Sequence, residues 1–162
     1  MNDLDEFDFE ILRLLQVDAA ISNQALARAI HVSAPTCLRR VKRLREAGYI
    51  EREVAILSAD KLAPLTGYGL TALVEVTLDV QNESAFDAFE RRACAQDAVQ
   101  QCYRVSPGPD FMLVIYATDM PAYLALSQTL FSNDANVRNA RAFFSVKRAK
   151  CTTTIPLPSL KK

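Results

Sequence analysis

Residues 33–48 read SAPTCLRRVKRLREAG, and this stretch decides the fold. Ser33 can cap a helix with its hydroxyl oxygen, and Pro35 is tolerated in a first turn, where the amides have no intrahelical partner. The spacing predicts a helix from Ala34 to Ala47, with Gly48 as the residue that stops it. Projected at about 100° per residue, Cys37, Leu38, Val41 and Leu44 share one side. Thr36, Arg39, Lys42 and Arg43 lie on or beside the other, with Arg40 flanking. A helix that is apolar on one side and cationic on the other is either a solvated face or a surface for phosphates, and its surroundings decide which.

Upstream, Ser22 is a capping residue for a short helix whose buried side is Leu26, Ala27 and Ile30. Only His31 and Val32 separate this helix from Ser33. Before it, Phe7, Ile11, Leu14 and Leu15 recur at helical spacing and predict a helix from Asp5 to Leu15, with acids in its first turn where the helix dipole favours them. Downstream, Tyr49 and Ile50 open an extended segment through Val54, Ile56 and Leu57, with Glu51, Arg52 and Glu53 as its exposed tip. Three short helices and a small hairpin make a winged helix-turn-helix, and a tight turn before a cationic helix is what docking in a DNA major groove requires. Net charge is zero, but the distribution is uneven: residues 1–21 carry six acids and one base, and residues 22–53 carry seven bases and three acids. A local basic stripe can bind phosphate in a neutral chain, because charges act over only about 8–10 Å at working salt.

From Ser58 to Gly69 the sequence turns loop-like, with Pro64, Gly67 and Gly69, and reads as a linker. The periodicity then changes. Leu70–Val80, Val99–Val105 and Phe111–Ala117 read as strands, with a further strand inside 137–148. Residues 83–95 and 120–131 read as amphipathic helices. The order βαββαβ is the ferredoxin-like arrangement, with two helices on one face of an antiparallel sheet. The other face is left for water or a second chain, and the apolar content of 111–116 and 142–146 favours a second chain, hence a homodimer. The fold class expected is α+β: a winged helix-turn-helix over residues 1–57, a linker over 58–69, and a ferredoxin-like sensing and dimerising domain over 70–162.

Composition removes several alternatives. Half of the 162 residues are hydrophobic and 23% are charged, as in an ordinary globular protein. No apolar run reaches the roughly 20 residues a membrane span needs, and the acidic opening segment is no secretory signal, so a cytoplasmic protein without a membrane partner is expected. Four dispersed cysteines and one histidine make no metal set, and reduced structural thiols are expected; Cys37 falls on the packing side. A small enzyme on a ferredoxin-like dimer is the rival from another class, and a metabolite-binding oligomer without DNA function is the other. The chain has no glycine-rich phosphate loop, no paired acid motif and no nucleophile–base set, so no catalytic residue and no cofactor are expected.

The ordered motifs resemble the Lrp/AsnC (leucine-responsive regulatory protein, feast/famine) transcription regulators. Residues 4–8 (LDEFD) with Ile11 and Leu12, 15–18 (LQVD), 21–23 (ISN), 37–44 (CLRRVKRL) and 47–50 (AGYI) carry the likeness in the first half. Residues 102–106 (CYRVS), 110–113 (DFML), Asp119, Met120 and Tyr123, and 153–157 (TTIPL) carry it in the second. The resemblance implies double-stranded DNA as a partner, read by Ser33, Thr36, Arg39, Arg40, Lys42 and Arg43, with Ser22 and Asn23 approaching the backbone. It also implies dimers, or tetramers or octamers built from them, and an amino acid or related metabolite bound between subunits. Ser106, Gly108, Asp110, Met120 and Tyr123 are the effector candidates. The family usually has Gly-Arg where this chain has Ala19-Ala20. After Val105-Ser106 the family has glycine next, whereas here Pro107-Gly108-Pro109-Asp110 displaces it by one and removes two amide donors.

Overall fold

A computed structural model describes residues 4–67 and 69–158; residues 1–3 and 159–162, the outer ends of the expected domains, lie outside the described residues. The chain forms two compact units, one of residues 4–56 with 150–158 and the other of the described residues from 57 to 149.

In the first unit, helix α1 (Glu6–Val17) begins in a capping box: Asp5 accepts from the Asp8 amide at 3.0 Å and Asp8 accepts from the Asp5 amide at 3.1 Å. Helix α2 (Asn23–Ala29) is capped by Ser22, whose Oγ accepts from the Ala25 amide at 3.2 Å. It ends at His31, which holds a φ of 56°, while the amides of His31 and Val32 turn back to the carbonyls of Arg28 and Ala27. Helix α3 (Ala34–Glu46) is capped by Ser33 and closed in the same way by Gly48 at φ 77°, whose amide returns to Arg45 while that of Tyr49 returns to Leu44. Two left-handed residues, His31 and Gly48, thus delimit the basic helix.

Ile11, Leu26, Ala27, Ile30, Cys37, Val41 and Leu44 form this unit's core. Leu38, expected on the packing side, is 57% exposed. Cys37, Val41 and Leu44, at i, i+4 and i+7, fill the seam, and Leu38 stands one residue past its edge. The expected hairpin is absent as a paired structure: residues 51–57 carry no strand, and Val54, Ile56 and Leu57 are exposed. Alternation makes such a segment extended, but a strand needs a neighbouring edge to bond. Residues 150–158 return to this unit rather than staying with the sheet. Gln16 clasps Ile155, accepting from its amide at 2.6 Å and donating to its carbonyl at 3.2 Å, and Arg13 donates to the Pro158 carbonyl.

The second unit opens with helix α4 (Ala59–Thr66), in the segment expected to be a loop. Ser58 caps it and Gly67, at φ 74°, terminates it, so the small residues that suggested a loop are the helix's boundaries. Pro64 removes one backbone bond, to the carbonyl of residue 60, which a two-turn helix survives. Strand β1 (Leu70–Leu78), helix α5 (Glu83–Cys94), strands β2 (Val99–Arg104) and β3 (Phe111–Ala117), helix α6 (Met120–Ser127) and strand β4 (Val137–Phe144) follow, with a π turn at Gln128–Ser132 after α6. The sheet order is β2-β3-β1-β4, each neighbouring pair antiparallel, which is the expected βαββαβ fold.

Alternate residues of β1 and β3 bury the core. Val74, Val76, Phe111, Leu113 and Ile115 pack under Phe89 and Ala93 of α5, Tyr123 of α6 and Leu130 and Phe131 of the π turn. Phe111 is the centre, with the Phe89 ring at 4.7 Å and the Phe86 ring edge-on at 5.9 Å. The opposite parity makes the second face, where Leu73 pairs with Val114 on one side and Phe143 on the other. Leu73, Tyr103 and Phe143 stay exposed there, Met112, Val114 and Tyr116 are half-buried, and the Arg141–Glu75 ion pair lies among them with the Arg141 guanidinium 5.0 Å from the Phe143 ring centre.

Candidate nucleic-acid interface and effector region

The cationic side chains of α3 separate into two groups once their partners are known. Arg39 is exposed with no ion-pair or hydrogen-bond partner among the described residues. Lys42 is 73% exposed and only loosely paired with Glu46, one turn on, at 3.6 Å. A pair so exposed is worth about 0–1 kcal/mol, so Lys42 is readily released to another anion.

Arg40 and Arg43 reach back to α1. One Arg40 amino group bonds Asp5 Oδ2 at 2.7 Å and Asp8 Oδ1 at 2.9 Å, and its guanidinium lies 5.3 Å from the Phe7 ring centre. Arg43 Nη2 donates to Asp8 Oδ2. Asp8 is fully buried, and it survives burial because both oxygens are occupied by guanidinium donors and a backbone amide. Burial works to raise the Asp5 pKa, but hydrogen bonds from Arg40 and the Asp8 amide outweigh it and hold the carboxyl below its ordinary range. Asp5, Arg39, Arg40 and Arg43 together line a concavity of about 350 Å³.

The remaining positions read from the sequence serve mainly as joints. Ser33 caps α3 and its hydroxyl meets that of Thr36 at 2.8 Å. Asn23 Nδ2 donates to the Ala34 carbonyl at 2.9 Å, tying the start of α2 to the start of α3. Ser22 is exposed at the tip of α2, with its oxygen accepting from the helix and its hydroxyl proton still available to a phosphate. Arg45 on the far flank is committed to Glu53. Sequence reasoning missed Asp8. Its signal was present: it stands one turn before Ile11, a carboxylate within the apolar side of α1.

The effector candidates fall at opposite ends of β3. Ser106 and Gly108 lie exposed in the turn that precedes the strand, and Gly108 has open space where a side chain would stand. Asp110 closes the fold: its Oδ2 accepts from the Leu78 amide at 2.7 Å, beside the register shift in β1, and from Gln81 at 3.2 Å. Met120 is exposed at the first turn of α6, and Tyr123 is buried edge-on against Phe144 at 5.1 Å. Burial pushes the Tyr123 pKa up against a hydrogen bond with Ser127. A strand of seven residues spans about 20 Å, so one chain does not bring the turn and the start of α6 together.

Neither Cys37 nor Cys102 is an activated thiol. Burial raises the pKa of Cys37, and burial with the neighbouring Cys94 thiol and Glu90 pushes Cys102 up to about 12, opposite to the depression a reactive cysteine needs. Among the described residues no group of acids, cysteines and histidine is placed to hold a metal ion, and no helix is long and apolar enough to cross a membrane.

Comparison with known proteins agrees with this division of labour. Residues 4–51 match the winged helix-turn-helix DNA-binding profile, and residues 71–155 match the Lrp/AsnC ligand binding domain. The chain is 33% identical over 157 residues to an HTH-type transcriptional regulator of Haemophilus influenzae, covering 97% of this chain and 91% of that one. It is 34% identical to a leucine-responsive regulatory protein of Rhizobium meliloti, covering 91% and 92%. Among solved structures, a Neisseria meningitidis transcriptional regulator in complex with L-methionine superposes with a TM-score of 0.85 at 28% identity, covering 95% of this chain and 97% of that one.

Proposed function

This chain belongs to the Lrp/AsnC family of DNA-binding transcriptional regulators, and from that premise we propose that it reads operator DNA as a homodimer under the control of an amino acid or related metabolite. The observation that carries the reading is α3 itself. It is held between two left-handed turns, buried along Cys37, Val41 and Leu44, and presents Arg39, Lys42 and half of Arg43 to the outside. A helix fixed that way can lie in a major groove, with Lys42 and Arg39 on phosphates and Arg43 on base edges. Arg39→Ala and Lys42→Ala should each weaken binding alike on all sequences and lower the slope of log K against log salt by about 0.9 for each phosphate no longer neutralised. Fluorescence anisotropy over a salt series reads this directly.

Dimerisation uses the second face of the sheet. Leu73, Met112, Val114 and Phe143 make an apolar patch, and two such faces would bury each other, so that one homodimer carries two DNA-reading units. Tetramers or octamers would then be built from such dimers. Working on DNA, the protein would reside in the cytoplasm, and this mode of action needs no cofactor.

A second chain also completes the effector site. Ser106 and Gly108 of one subunit, with Met120 of another, could enclose a ligand that neither subunit holds alone, while Asp110 and Tyr123 shape the walls from within. The Neisseria meningitidis relative, solved with L-methionine, makes an α-amino acid the first class to try. In a thermal-shift screen against the amino acids, a true effector at 100 times its dissociation constant should stabilise the protein by about 2.7 kcal/mol. A flat response across the whole set would reject this effector class.

A further inference from the structure

The geometry points to Arg43 as the base-reading residue and to buried Asp8 as the residue that positions it. The inference rests on the DNA-reading function proposed above. Arg43 is half exposed and anchored at one end only: Nη2 is given to Asp8, whereas Nε and Nη1 have no partner among the described residues. A guanidinium so held keeps donors facing outward in a fixed plane. That is what bidentate recognition of a guanine edge requires, because an unanchored arginine must first freeze several torsions. Asp8 suits this positioning role, being fully buried, on a neighbouring helix, and fixed by its own capping-box bond to the Asp5 amide.

Arg40 takes the other half of this arrangement. It bonds Asp5 and Asp8 together, its Nε is buried without a partner, and its side chain is only 22% exposed. It acts as a strut that satisfies Asp8 Oδ1 and leaves Oδ2 for Arg43. Of the four cations on this helix face, then, Arg39 and Lys42 meet phosphates, Arg43 reads a base, and Arg40 stays inside.

The test begins with the full-length wild type enriching its preferred duplex from a random pool; affinities for that duplex and a scrambled one are then compared. Arg43→Lys keeps a charge but loses the fork. It should cut the preference for the selected duplex by about 5- to 150-fold for each half-site read, the worth of one bidentate bond to a base, while leaving the affinity for the scrambled duplex and its salt slope nearly unchanged. Asp8→Asn should reduce the preference in the same way, and the double variant should lose little more than either single one, because both remove one coupled unit. A folded Asp8→Asn protein with the wild-type preference would overturn the positioning role. If Asp8→Asn does not fold, Arg43→Lys decides: retained preference overturns the assignment and lost preference upholds it. If the wild type enriches no duplex at all, the regulator reading fails along with this one, an outcome distinct from a variant that merely keeps its preference.

Discussion

Val114→Asp should convert the protein from dimers to monomers and remove most of its specific DNA affinity. Val114 lies at the centre of the open sheet face, opposite Leu73 in β1 and next to Gln101 in β2. In an isolated subunit a carboxylate there reaches water and the fold tolerates it. Between two packed sheets it would be buried beside its own symmetry mate, with the Arg141 of that face already paired to Glu75, at a cost of several kcal/mol per ion. Loss of the second reading head then removes an intramolecular binding step worth about 10²–10⁴ in affinity. Sedimentation velocity checks the first consequence and anisotropy on a palindromic duplex the second. A variant that stays dimeric would place the subunit contact elsewhere.

Phe111→Ala should destabilise the sheet unit by about 3–5 kcal/mol, the usual range for deleting a buried aromatic ring. Phe111 is completely buried, packed between Phe86 and Phe89, and opposite Val76 in the ladder. The helical unit has a separate core, so calorimetry of the variant should show the sheet transition lowered and the other nearly unmoved. A joint shift of both transitions would mean the two cores unfold as one.

What could be read from the sequence was local. Ser22, Ser33 and Gly48 act on amides and carbonyls within four residues of themselves, so their type and spacing sufficed to bound α2 and α3. The element order βαββαβ and the core face of the strands followed from periodicity, since Val74, Val76, Leu113 and Ile115 leave one parity for the core. What escaped was either ambiguous or remote. Pro64 and Gly67 signal a break equally well whether they lie in a loop or inside and at the end of a short helix, as they do in α4. The segment through Val54 and Ile56 has the alternation of a strand, but strand pairing depends on an edge, and none among the described residues pairs with it.

The site was half legible for the same reason. Projection of α3 placed Arg39, Arg40, Lys42 and Arg43 on an outer face, and charge alone made them equivalent. Their difference comes from Asp5 and Asp8, some 32–35 residues away, whose carboxylates withdraw Arg40 and anchor Arg43. Likewise Asp110, an effector candidate through the family resemblance, has one carboxylate oxygen engaged by the Leu78 amide, 32 residues away in sequence. Partners at long sequence separation decide whether a polar residue is a tool or a joint, and one-dimensional periodicity carries no record of them. The tail shows this too: Ile155 follows the sheet in sequence but is clasped by Gln16 of α1.

The central claim is that α3 reads DNA, and the most direct measurement is the affinity of the full-length protein for its selected duplex and for a scrambled duplex at 50 and 200 mM salt. Two heads, each with Arg39 and Lys42 on phosphates, should lose about 10² in affinity between those concentrations on both duplexes, while the preference for the selected duplex persists. No binding at 50 mM salt, or binding with the same affinity to both duplexes, would contradict it.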